Sequence, residues 1–199
     1  MVNHKRVYRI YRAEGLAVRR KARKKLAAGE RVQKPLVSAA NQRWSMDFMS
    51  DQLASGQRFR VLNVVDDCTR ECLVMHVGTR VTGADVARLL TTVLAEHAQP
   101  AMIVTDNGPE FISKALDQWA HERGIIQHFN RPGKPVENAY IESFHGRVRD
   151  ECPNLHWFQT LSQARLIVAA WHQDYNEVRP HSALEDRSPN EYARLFQVG

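Results

Sequence analysis

With 199 residues, 43% of them apolar and 25% charged, the chain has the length and composition of one folded core with appendages, which excludes a wholly disordered polymer. No apolar run approaches the roughly 20 residues of a membrane span, and the N-terminus is too basic and polar for a secretory signal, so a cytoplasmic protein with no membrane contact is expected. The net charge of +6 conceals a division: residues 1 to 34 carry 12 Lys or Arg against Glu14 and Glu30, a net +10, while the remainder holds 16 basic and 20 acidic residues. A basic arm of this kind suits a polyanion.

Residues 3 to 14, NHKRVYRIYRAE, place Val7, Ile10 and Tyr11 at helical spacing between Asn3 as N-cap and Gly15 as stop. RRKARKKLAAGERVQKP, ending at Pro35, has no strong apolar stripe and reads as an arm or linker; phosphate contact and plain solvation are both open. From Asn41 the pattern turns β-rich: RWSMDFM, RFRVLNVVDD and ECLVMHVGT predict three consecutive antiparallel strands. TGADVARLLTTVLAEHA then opens on Thr82 and repeats Val86, Leu89, Leu90, Val93 and Leu94 on one helical face. AMIVTD predicts a short buried strand, SKALDQWAHERG a helix ended by Gly124, and IIQHF a last strand. Alternation of strand and helix implies parallel pairing, hence an α/β fold with a mixed sheet.

Past the NRPGKP loop, VENAYIESFHGRVRDE predicts a helix with Val136, Tyr140, Phe144 and Val148 on a packing stripe and Asn138, Glu142, His145 and Arg149 on a stripe offered outward. A final helix from about Leu161 to Val178 carries Leu161, Ala164, Val168, Trp171, Tyr175 and Val178 on one stripe. Trp44 and Trp119 are expected in the core. Cys68, Cys72 and Cys152 have no metal-type spacing and read as free thiols.

MIVTDNGPEF, residues 102 to 111, is first of all a strand ending in a turn. Asp106 gains a second reading from Asp47, an acid inside the apolar run WSMDFM, where burial costs several kcal/mol unless a neighbour neutralises it. If the first and fourth strands are neighbours, Asp47 and Asp106 approach each other, and Glu142 on the following helix completes three carboxylates on rigid elements. Such a set can hold two divalent cations that clamp an in-line displacement at phosphorus. Asp66 and Asp67 also end a strand and compete for the first position, but DDCT followed by a new strand reads better as a hairpin turn.

The order Asp47, Asp106, then 35 intervening residues to Glu142 resembles the D,D(35)E core of retroviral-integrase-like transposases. WSMDFM, NVVDDCTRE, TDNGPEF, RPGKPVENAYIESFHGRVRDEC and YNEVRPHSAL resemble, over about residues 41 to 195, the second-frame product of two-frame bacterial insertion sequences. The resemblance implies an RNase H-like fold: a mixed five-stranded sheet, three strands antiparallel and then two parallel, flanked by helices. It divides the chain into a basic arm with a helix-turn-helix remnant (1–40), the catalytic core (41–152) and a C-terminal helical extension (153–199). Asp47, Asp106 and Glu142 are then catalytic and metal-binding, with two Mg²⁺ ions, replaceable by Mn²⁺, as cofactor, and Asn107 and Gly108 shape the turn behind Asp106.

The implied activity is DNA strand cleavage and transfer to a 3′-hydroxyl during transposition. The implied partners are transposon-end and target DNA, further copies of the chain on DNA, and a first-frame transposase protein. Candidate DNA contacts are Lys5, Arg6, Arg9, Arg19, Arg20, Lys21, Lys134, Asn138, His145 and Arg149, with Arg147 beside them. Glu110 reads as a solvent-facing helix start with a fourth carboxylate as the rival role. For Arg179 and His181 in RPHSAL, packing is preferred to function. The N-terminus resembles the tail of a longer helix-turn-helix module, so truncation is expected, and the alternative function is a catalytically incompetent DNA-binding remnant or regulator. A ribonuclease H proper shares fold and metals and is distinguished by cleavage of an RNA–DNA hybrid.

Overall fold

The computed structural model describes Glu14 and residues 37–131, 139–152 and 158–196. The expected N-terminal helix and arm, with Lys5, Arg6, Arg9, Arg19, Arg20 and Lys21, therefore lie outside the described residues, as do Lys134, Val136 and Asn138.

Five strands form one sheet: β1 (Arg43–Gln52), β2 (Arg58–Asp66), β3 (Cys72–Gly78), β4 (Met102–Thr105) and β5 (Ile126–Phe129). Their spatial order is β3-β2-β1-β4-β5, with β1·β2 and β2·β3 antiparallel and β1·β4 and β4·β5 parallel, as the alternation of elements implies. Successive strand side chains point to opposite faces. Trp44 and Met46 of β1, with Leu62 and Val64 of β2, thus face helices α1 (Gly83–Val93) and α2 (Lys114–Glu122) through Val86, Leu90, Leu116 and Trp119. Met49 of β1, with Val61 and Val65 of β2, faces the other side, where α3 (Ala139–Glu151) and α4 (Leu161–Glu177) supply Ile141, Phe144, Val148, Ala164, Val168 and Tyr175.

Thr82 caps α1 in a reciprocal box with Asp85, satisfying donors that the first turn would otherwise strand. The helix closes at Val93, short of the extent suggested by apolar spacing, because Leu94 is already the C-cap and residues 95–97 follow in turns. A Cβ on Gly83 would lie 1.7 Å from Ser113 Oγ and 2.6 Å from the Glu110 carbonyl oxygen, so a glycine is needed where α1 meets the start of α2. Gly124, at φ +66°, ends α2 in the left-handed region.

α4 ends at Glu177, and Val178 is 69% exposed, off the stripe expected for it, because it is the C-cap rather than part of the last turn. A 3₁₀ turn (Ser182–Leu184) and a helix, α5 (Pro189–Arg194), capped by Ser188, follow. Neither was evident from periodicity, since six residues cannot display it. Among the described residues no helix is long and apolar enough to cross a membrane.

Candidate functional site

The sheet positions the first two carboxylates by register. Ser45 of β1 pairs with Val104 of β4 in parallel, so two residues further along Asp47 comes level with Asp106. Asp47 shares its strand face with Ser45 and Met49, which is the face covered by α3. Glu142, in the first turn of α3, is exposed over that face. Asp106 leaves β4 at the turn, where its Oδ1 accepts the Gly108 N–H at 2.9 Å; Asn107 Nδ2 donates to the Asn130 carbonyl at 2.9 Å. The turn therefore aims Asp106 while Asn107 fastens it to the end of β5.

Asp47 is half-buried and accepts the Phe48 N–H on Oδ1 at 2.7 Å. Burial pushes its pKa up to about 6; Asp106 and Glu142 add to the rise, and the Phe48 hydrogen bond and Arg149 oppose it. Asp106 and Glu142 thus each lie within electrostatic reach of Asp47. Oxygen-only donors suit a hard divalent cation, and a cation beside Asp47 would return it to the charged form, so the donor set fits magnesium chemically. Among the described residues no three His, Cys, Asp or Glu side chains are gathered tightly enough to hold an ion as they stand. The side chains of Asp106 and Glu142 are exposed.

His145 is not on the outward stripe where helical spacing put it with the DNA contacts: it is 3% exposed, beneath the site. α3 packs with Ile141, Phe144, His145 and Val148 inward, the i, i+3, i+4, i+7 set, and that pattern in the sequence was the signal for the true face. Its Nδ1 lies 3.6 Å from Asp47 Oδ2 and its Nε2 is 3.0 Å from Asn63 Nδ2. Burial, and then Arg149, hold its pKa down to about 4, so the ring is neutral beside Asp47 rather than its ionic partner. Asn63, fully buried and directly across the β1·β2 ladder from Asp47, escaped sequence reasoning altogether. Arg149 remains on the exposed face of α3.

Two devices hold α3. At its start, the guanidinium groups of Arg43 and Arg70 sit 5.5 and 3.9 Å from the Tyr140 ring centroid, two residues before Glu142. Arg43 is ion-paired with Asp67, and Arg70 Nη1 donates to the Asp67 carbonyl. Further along, Arg147 donates to His181 Nδ1 at 2.6 Å, Glu151 is ion-paired with Arg179, and Phe144 meets Trp171 and Tyr175 edge-on. His181 is 2% exposed, and it and Arg179 pack and clamp in the structure.

Asp66 and Asp67 form a turn. Asp66 accepts N–H groups of Asn41, Cys68 and Thr69, leaving it committed to the hairpin. Glu110 is neither a solvent-facing helix start nor a neighbour that raises Asp47: it is ion-paired with Arg60, whose guanidinium lies 3.8 Å over the Phe48 ring, and its Oε2 is buried without a partner. Trp44 and Trp119 are core residues, 0% and 6% exposed, and the three cysteines are free.

Two family models, each described as Integrase core domain, match residues 37–135 and 123–189. The chain is 50% identical over 191 residues to the uncharacterized 31.7 kDa protein of insertion element IS407 from Burkholderia multivorans, covering 96% of this chain and 69% of that one. It is 45% identical over 197 residues to the 39.2 kDa protein of insertion element IS476 from Xanthomonas euvesicatoria, covering 99% and 57%. It is 30% identical over 201 residues to the putative transposase InsD for insertion element IS2E of Escherichia coli, covering 97% and 92%. Among solved structures, the HTLV-2 integrase catalytic core domain in complex with magnesium matches with a TM-score of 0.61 at 15% identity, covering 78% of this chain and 97% of that one. The simian T-cell lymphotropic virus intasome matches with a TM-score of 0.61 at 17% identity, covering 78% and 55%. The fold is RNase H-like, as the motifs implied.

Proposed function

Because the chain belongs to the family of bacterial insertion-element transposases built on an integrase core, we propose that it is a DDE-type polynucleotidyl transferase that cleaves DNA strands and joins a transposon 3′-hydroxyl to target DNA. The observation that carries this reading is the level placement of Asp47 and Asp106 across parallel strands, with Glu142 on the helix over the same face. These three residues would hold Mg²⁺, one ion or two, with Mn²⁺ as substitute. When bound, it supplies neutralisation of the phosphodiester and activation of the attacking oxygen.

The chain's own groups do the rest. Asp47 is kept half-buried, so its charge is available to a cation instead of being dissipated in water. The Gly108 N–H fixes the Asp106 carboxylate at the strand end. Exposed Arg149, about two helical turns along α3 from Glu142, would meet a DNA phosphate on this reading, and the basic residues of 1–34, Lys134 and Asn138 are its further candidate DNA contacts. His145 takes no part in DNA contact on this reading, because it is buried. Further copies of the chain assemble on DNA, and a first-frame protein of the same element is the additional partner.

Joining of a labelled transposon-end oligonucleotide tests the proposal. It is expected with Mg²⁺ or Mn²⁺ and absent in Asp106→Asn; unchanged joining in that variant would overturn the assignment. Salt-sensitive duplex binding without joining at any metal concentration would instead support the reading as a non-catalytic DNA-binding regulator, which the net +10 of residues 1 to 34 motivates.

A further inference from the structure

Asn63 and His145 form a buried chain of polar contacts that ends beside Asp47. Asn63 stands directly opposite Asp47 in the antiparallel ladder, so both side chains project from the same face of the sheet toward α3. Its Nδ2 lies 3.3 Å from the Val61 carbonyl oxygen and 3.0 Å from His145 Nε2. An amide nitrogen can only donate, so the imidazole must present a lone pair at Nε2 and carry its proton on Nδ1. That Nδ1 faces Asp47 Oδ2 at 3.6 Å, while the other Asp47 oxygen is held by the Phe48 N–H. The separation exceeds a hydrogen bond, so the N–H stands beside the carboxylate without bonding it.

We propose that Asn63 and His145 are positioning residues: Asn63 selects the Nδ1–H tautomer of His145, and His145 orients the Asp47 carboxylate for a divalent cation. This rests on the reading of Asp47 as a metal ligand. Two independent features accompany it. Both residues are almost wholly buried, 0% and 3% exposed, beside the apolar side chains of Met49, Val61, Val65, Ile141 and Phe144, where an apolar pair would pack without the cost of desolvating two polar groups. Asn63 Oδ1 is buried with no partner, a cost tolerated while Nδ2 points at the histidine. Outer groups that fix the direction of a ligand are worth about 10- to 100-fold in metal affinity where they have been removed.

The test uses the full chain without DNA. Nitrogen-15 spectra of the imidazoles, with the His145 signal identified by its loss in His145→Phe, are expected to show the Nδ1–H tautomer in the wild type; the Nε2–H tautomer would overturn the proposal. Calorimetric titration with Mn²⁺ is expected to show about tenfold or weaker affinity in folded His145→Phe and in Asn63→Leu. Wild-type affinity in either folded variant would also overturn it. If these replacements do not fold, the His145 signal is assigned in the isotope-labelled wild type by through-bond correlation to its backbone, and its tautomer alone decides. Loss of joining in Asp106→Asn together with an Nε2–H tautomer would leave the proposed activity standing and remove only this inference.

Discussion

Arg147 donates a hydrogen bond of 2.6 Å to His181, tying the middle of α3 to the segment that follows α4. The acceptor must be neutral, and it is: burial first, then Arg147, Arg179 and Arg70, hold the His181 pKa down to about 4. In the unfolded chain the same ring protonates near its ordinary value of about 6.5. Between these values the unfolded state binds more protons, so this contribution to stability is complete above about pH 6.5 and is lost as pH falls toward 4. His181→Ala is expected to cost about 2 kcal/mol at pH 7.5, the worth of a hydrogen bond from a charged donor with its packing. In urea unfolding, the gap between wild type and variant is expected to narrow as pH is lowered through that window; a constant gap would refute the assignment.

Asp47 has the opposite sign. Its folded pKa of about 6 lies above its ordinary value of 3.8, so the ionised side chain weakens the metal-free fold progressively from pH 3.8 to 6 and by a constant amount above. Asp47→Asn removes that charge. It is expected to stabilise the metal-free protein at pH 7.5 by about 1–2 kcal/mol, after discounting for its partial exposure, and to change little below pH 4. Adding Mn²⁺ should raise the melting temperature of the wild type and leave the variant unmoved. Differential scanning fluorimetry across pH, with and without metal, reads both effects.

Gly108 sets the direction of Asp106. A Cβ there would lie 3.0 Å from Asp106 Oδ1 and 3.4 Å from both Glu110 Oε2 and Phe111 Cδ2. Gly108→Ala is therefore expected to displace the carboxylate by several tenths of an ångström with little loss of melting temperature. A misplacement of about 1 Å can cost on the order of 100-fold in rate, and a fall in strand joining of tenfold or more is expected here. Equal joining by the variant and the wild type would show that the turn does not aim Asp106.

The arm carries a prediction about salt. Replacing Lys5, Arg6, Arg9, Arg19, Arg20 and Lys21 by Gln removes six charges. If all six neutralise phosphates, the slope of log affinity against log salt on duplex DNA should flatten by about 5, and by proportionately less if fewer do. Filter binding or anisotropy at several salt concentrations measures it, and an unchanged slope would mean that these six residues do not touch the DNA backbone.

The sheet was legible because period-two alternation and turn residues survive in any context, and β1, β2 and β3 fall where RWSMDFM, RFRVLNVVDD and ECLVMHVGT put them. Helix–strand alternation implied parallel pairing, but that β1 and β4 are neighbours was only a condition in the sequence reading, and the sheet order supplies it. The neighbourhood of Asp47 was less legible. Asn63 is set opposite it by ladder register alone, a relation invisible in a linear string. His145 was placed outward because Glu142 and Arg149 flank it at steps of three and four. The boundary between the two faces of α3 is set by what the helix lies on, and Ile141 and Phe144 turn that side toward β1 and β2. Packing was the preferred reading for Arg179 and His181 and the structure agrees; their partners Glu151 and Arg147, far apart from them in sequence, were not legible.

The parallel pairing of β1 with β4 has a kinetic consequence. Asp47 and Asp106 belong to neighbouring strands joined through β2, β3 and the α1 crossover, so no local hairpin can bring them together. Long-range closure of this kind is slow and comes after local structure has formed. A growing or half-folded chain can therefore complete its antiparallel hairpins while still lacking one side of the cation site. On the proposed reading the cation site is incomplete until β4 has paired with β1 and α3 has docked over them.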